Sequence, residues 1–125
     1  MSVLVILERA HRGRVEQQYA HALWLVEGLT QQHPTDVLMR GAAAGYAVDA
    51  PAAPPLRLGG AVLEHTPDYS AAIGRLAAAG ARVLVSGSSL AALGLAGRKL
   101  LPSVELVNDA ELGHICAGYD RLWYL

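Results

Sequence analysis

Five apolar residues in a row, Val3-Leu4-Val5-Ile6-Leu7, run into the polar, Gly-containing stretch Glu8-Arg9-Ala10-His11-Arg12-Gly13. A short run without polar alternation predicts a strand buried on both faces, as in a parallel sheet held between helices. Arg82-Val83-Leu84-Val85 repeats that pattern. Asp36-Val37-Leu38-Met39, Ser103-Val104-Glu105-Leu106-Val107 and Arg121-Leu122-Trp123-Tyr124-Leu125 add three further strand candidates. Between the first two, Val15, Tyr19, Ala22, Leu23, Val26 and Leu29 recur at helical spacing, which predicts an amphipathic helix over residues 14–32 that His33-Pro34 stops. Alternating strands and helices imply a three-layer α/β/α fold with a mostly parallel five-stranded sheet.

Other helix ends are marked locally. Thr66 suits an N-cap with Pro67 at the first helical position, Tyr69, Ile73, Leu76 and Ala77 form one face, and Gly80 ends that helix. Asn108, three residues before Glu111, starts another helix that Gly118 terminates. Residues 41–65 are the least regular part. They hold a small-residue turn at 41–45, a connection through Pro51, Pro54 and Pro55, and Ala61-Val62-Leu63 as a minor strand or packed loop, together reading as a lid or an interface arm. The 125 residues form a single domain, with neither an internal repeat nor a second unit.

Composition narrows the function classes. Hydrophobic residues make up 53% of the chain and charged ones 17%, so part of the apolar surface is expected in a subunit interface. Trp24 and Leu25, beside the apolar stripe of the first helix, are candidates for that contact or for partial burial. A formal net charge of −1 offers no attraction to nucleic acid or an anionic membrane. The single cysteine, Cys116, excludes an internal disulfide and a multi-thiolate metal site, and fits a reducing cytoplasm. No signal-peptide pattern opens the chain, and no stretch approaches the roughly 20 apolar residues that span a bilayer.

These residues, taken in order, resemble the DsrE/DsrF family, which includes the sulfur-relay proteins related to TusB, TusC and TusD. The resemblance runs through the first strand and its loop, Val37-Leu38-Met39-Arg40-Gly41-Ala42-Ala43, Gly80-Ala81-Arg82-Val83-Leu84-Val85-Ser86, Leu93-Gly94-Leu95 and the C-terminal Tyr119-Asp120-Arg121-Leu122-Trp123-Tyr124-Leu125. It implies the α/β/α fold, assembly into homotrimers, homohexamers or mixed hexamers, and, for active members, a cysteine persulfide that accepts and passes on sulfur. Counted back from Gly94, the carrier position falls on Ser86, and the family's Arg before the glycine is Leu93 here. A serine hydroxyl cannot hold a persulfide, so the implied role is a non-carrier binding or structural subunit, in company with a cysteine-bearing paralogue or other relay protein.

The residues themselves offer three kinds of chemistry. In open α/β sheets ligands gather beyond the carboxyl ends of the strands, which would set Arg9, His11 and Arg12, with Arg14 a further candidate, opposite Ser86, Ser88 and Ser89. Serines opening a helix suit a small anion or a partner's acidic tail; the plainer reading is an ordinary cap beside a solvated loop. Cys116 is the alternative persulfide carrier, but Leu112, Ile115 and Cys116 share one helix face, which predicts packing. Ser86 as a nucleophile would need a base, for which His11 alone is near, and no triad or nucleophile-elbow pattern accompanies it. His11, His21, His33, His65 and His114 show no zinc spacing, and no P-loop or GxGxxG motif is present, so no metal or cofactor is implied.

Overall fold

The structure, a computed structural model, describes residues 2–10, 20–50, 54–63 and 69–125. His11, Arg12, Arg14, His65 and the Thr66-Pro67 start of a helix lie outside the described residues. In chain order the elements are β1 (Val3–Leu7), α1 (Ala20–Thr30), β2 (Thr35–Met39), a 3₁₀ segment (Gly41–Ala47), β3 (Leu56–Leu58), β4 (Ala61–Leu63), α2 (Tyr69–Ala78), β5 (Val83–Ser86), α3 (Gly87–Ala92), β6 (Val104–Val107), α4 (Asp109–Ala117) and β7 (Arg121–Tyr124).

Five strands form one sheet in the order β6-β5-β2-β1-β7, and every neighbouring pair is parallel. β1 lies inside the sheet and is buried at all five positions, which is why its sequence shows no polar alternation. The chain steps from β1 through β2 and β5 to β6 in one direction, then returns across the sheet to β7. Because parallel crossovers keep one hand, that reversal puts α4 on the opposite face from α1 and α2.

Two cores result. Val3, Val5, Leu7, Val37, Met39, Val83 and Val85 meet Leu23 and Val26 of α1 and Ile73 and Leu76 of α2. On the other face Leu4, Ile6, Leu38, Leu84 and Val107 meet Leu112, Ile115, Cys116 and Tyr119. Each fully buried aliphatic side chain contributes about 1.5–3 kcal/mol over an exposed one. No residue of α4 is itself fully buried, and among the described residues it is the helix that packs on the second face of the five-stranded sheet.

The described residues of the irregular segment form a 3₁₀ turn and a hairpin. The 3₁₀ segment packs four of its residues, Ala43, Ala44, Tyr46 and Ala47, into the first core. The Tyr46 ring stacks on Tyr69 of α2 with centroids 4.2 Å apart. Ala61-Val62-Leu63 is a strand, paired antiparallel with Leu56–Leu58 around the Gly59-Gly60 turn. At the end of α2, Gly80 takes a φ of +94° while the Ala81 N–H donates to Leu76 O at 3.1 Å, closing the helix as its glycine predicts.

Candidate functional site

The carboxyl ends of β1, β2, β5 and β6 converge on one edge of the sheet, and the serines lie there. Ser86 is the last residue of β5, opposite Val107 of β6, and caps α3 by accepting the Ser89 N–H at 3.3 Å. Its side chain is buried, 1% exposed. The Ser86 and Ser88 hydroxyls are 3.1 Å apart, and both reach Oδ1 of Asp109, Ser88 at 2.9 Å and Ser86 at 3.4 Å. Ser89 faces the other way and accepts the Gly41 N–H at 2.9 Å, tying α3 to the end of β2.

That tie depends on glycine. Gly41 has a φ of +56°, and a Cβ there would sit 3.1 Å from Glu8 O. Neighbouring Arg40 donates its N–H to Leu7 O at 2.9 Å and pairs with Glu8 at 3.4 Å, so the ends of β1 and β2 are joined twice. Asn108 caps α4 through the Glu111 N–H at 3.0 Å, as its spacing predicts. Asp109, the next residue, is thereby set at the first turn of α4 with its carboxylate turned to the start of α3. A negative group is favourable at both helix starts.

The structure therefore brings Ser86, Ser88 and Ser89 together and leaves Arg9 exposed on the same edge. The Ser86 and Ser88 hydroxyls, which the sequence offers to an external anion, reach a carboxylate of the chain itself. Among the described residues no histidine is hydrogen-bonded to either hydroxyl of the pair. Asp109 and the Gly41 N–H belong to this edge without being candidates in the sequence motifs. Asp109 was nonetheless legible, because it directly follows a recognisable cap at the end of the fourth main strand.

Cys116 lies elsewhere. It is half-buried in the last turn of α4, packed against the Leu4 core with Leu112 and Ile115. It stands seven positions along the helix from Asp109, about 10 Å of rise at 1.5 Å per residue, toward the amino edge of the sheet. A further depression of about 530 Å³, lined by Trp24, Leu25, Gly28 and Gln32, opens on the outer side of α1 and includes none of the serines. Among the described residues no group of three or more His, Cys, Asp or Glu side chains is placed to hold a metal, and no helix is long and apolar enough to cross a membrane.

No family model and no curated protein matches the sequence. Solved structures do. The ychN protein from E. coli superposes with a TM-score of 0.73 over 99% of this chain and 98% of its own, at 13% identity. MTH1491 from Methanobacterium thermoautotrophicum, a protein of unknown function, superposes with a TM-score of 0.62 over 96% of each chain, at 17% identity. The chain has a DsrE/DsrF-like fold. At such identities the likeness establishes architecture, and the chemistry must be read from this chain's own residues. Within the DsrE/DsrF-like fold, the edge that carries Ser86 holds a hydroxyl pair closed on a carboxylate.

Proposed function

We propose that this chain is a non-carrier subunit of a sulfur-relay-type oligomer, binding or positioning a partner that carries the reactive thiol. The observation that supports this is the state of Ser86. It occupies the position of the carrier cysteine by resemblance, and its hydroxyl is buried, capping α3 and bonded into the Ser88–Asp109 cluster. Relay chemistry needs a thiolate that attacks and then holds sulfur as a persulfide, and serine supplies neither. Cys116, at the other end of α4, is packed among apolar side chains. The thiol would then belong to a cysteine-bearing paralogue in a mixed hexamer, or to another relay protein that meets a homotrimer or homohexamer of this chain, in a reducing cytoplasm.

Intact-mass spectrometry after incubation with a persulfide donor tests the reading. The folded protein should retain no added sulfur. An adduct of one sulfur that vanishes in Cys116→Ser would overturn the proposal and establish Cys116 as the carrier. Native mass spectrometry should show a trimer or hexamer, and a strictly monomeric protein at micromolar concentration would remove the assembly.

A further inference from the structure

We infer that β7 pairs antiparallel with β7 of a second copy of this chain, centred on Trp123, joining two sheets edge to edge. β7 is an outer strand of the sheet and is exposed at every position. On its inner side the Arg121 N–H donates to Ser2 O at 3.2 Å, the Leu125 N–H to Ile6 O at 3.0 Å, and Leu125 O accepts the Glu8 N–H at 3.3 Å. Strand geometry alternates, so Trp123 also turns its backbone groups inward, while the N–H and C=O of Leu122 and Tyr124 point outward. The side chains alternate as well: Leu122 and Tyr124 lie in register with Leu4 and Ile6 on the α4 face, and Trp123 with Val5 on the α1 face. They are 41%, 64% and 37% exposed, respectively.

The two sheet edges are built differently. β6 exposes Leu106, but its Glu105 carries an ion pair with Arg82 at 3.1 Å, and Pro102 lies just ahead of the strand. Charge and proline are what keep an edge from pairing. β7 has one charge, Arg121 at its start, followed by Leu-Trp-Tyr-Leu.

A second copy fits this edge by its own pattern. A two-fold axis at Trp123 sets Leu122 opposite Tyr124 of the second copy, and Tyr124 opposite its Leu122. Those two pairs satisfy all the outward N–H and C=O groups of both residues in each strand. The two Trp123 residues then face one another at the non-hydrogen-bonded site between the pairs, where side chains approach most closely. Arg121 falls opposite Leu125, so the two guanidiniums stay apart. Moving the axis to Leu122 would set Tyr124 against Asp120, whose N–H is already given to Ser2.

This inference rests on the oligomer in the proposed function and supplies one of its contacts; it does not depend on sulfur. The full chain tests it. Tyr124→Lys, at an exposed position, should lower the subunit number of the assembly in native mass spectrometry. Trp123→Cys in a Cys116→Ser background should form a covalent dimer on mild oxidation, because facing positions at such a site bring Cα atoms to about 4.5 Å, within disulfide reach. Unchanged stoichiometry in Tyr124→Lys, or no cross-link in a Trp123→Cys protein that remains oligomeric, overturns this interface and leaves the relay reading standing. A three-fold trimer holds no two-fold axis, so a trimeric wild type overturns this interface alone, whereas a monomeric one overturns both. Should circular dichroism show Tyr124→Lys unfolded, the cross-link alone decides.

Discussion

The Tyr119 hydroxyl donates to Oδ2 of Asp36 at 2.5 Å, binding the turn after α4 to the start of β2 across 83 positions of chain. The other oxygen of Asp36 accepts the Arg82 N–H at 2.7 Å, and the Arg82 guanidinium reaches both oxygens of Glu105 at 3.1 and 3.3 Å. The hydrogen bond to Glu105 raises the Arg82 pKa against the opposing effect of burial. At the amino edge of the sheet, then, three strands and the end of α4 share one polar chain of contacts.

Burial first, then the hydrogen bond and negative charge of Asp36, push the Tyr119 phenol up to about 12 from an ordinary 10.0. A folded-state value above the unfolded one stabilises the protein fully below the unfolded pKa. That stabilisation is lost as pH rises through the folded pKa. Urea denaturation should therefore show stability falling between about pH 10 and about 12, and Tyr119→Phe should remove that part of the slope. At neutral pH the same variant leaves an Asp36 oxygen without its donor and should cost about 1–2 kcal/mol. An unchanged midpoint and an unchanged alkaline slope would show that the contact contributes nothing.

Ser86→Ala keeps the fold but removes the cap of α3 and one side of the hydroxyl pair. The expected loss is about 1–2 kcal/mol in denaturant unfolding. Asp109→Ala leaves the cap itself in place and should cost less, about 1 kcal/mol, because Ser88 and Asp109 are exposed and water replaces the bond. If Asp109→Ala proved the more damaging of the two, the carboxylate and not the cap would be what holds this edge together.

Gly41→Ala tests the joint between β1, β2 and α3. The left-handed φ and the close approach of Glu8 O both oppose a Cβ. The substitution should lower stability by about 1–3 kcal/mol, whereas Gly60→Ala, with nothing within 4 Å of the added carbon, should cost far less. Thermal unfolding of the two variants side by side separates strain from loss of glycine in general.

Cys116 should react slowly with a thiol reagent in the native protein and quickly in urea, since its helix face packs against Leu4, Ile6, Leu38, Leu84 and Val107. Equal rates in the two conditions would mean that the thiol is open to solvent and would revive it as a carrier.

Much of the architecture is written in local pattern. The unalternating runs at Val3–Leu7 and Val83–Val85 name interior parallel strands because only a strand covered on both faces tolerates them. Asn108 and Gly80 mark helix ends because their side chain, or lack of one, satisfies backbone groups within a few residues. The segment after β2 was less legible: Gly41–Ala47 is rich in small residues that suit several backbone conformations. The Leu56–Leu63 hairpin turns on Gly59-Gly60 after a proline-rich approach that carries no period.

What sequence determined by itself was therefore the five strands of the main sheet, the helices between them, their order, and the absence of a thiol at Ser86. Tertiary structure decided which of their ends meet. The return of the chain from β6 across the sheet to β7 sets α4 on its own face, brings Asp109 to the serines and carries Cys116 to the opposite edge. Local periodicity records which side of an element is apolar. The direction of a crossover depends instead on packing between segments far apart in the chain, and no short stretch of residues encodes it.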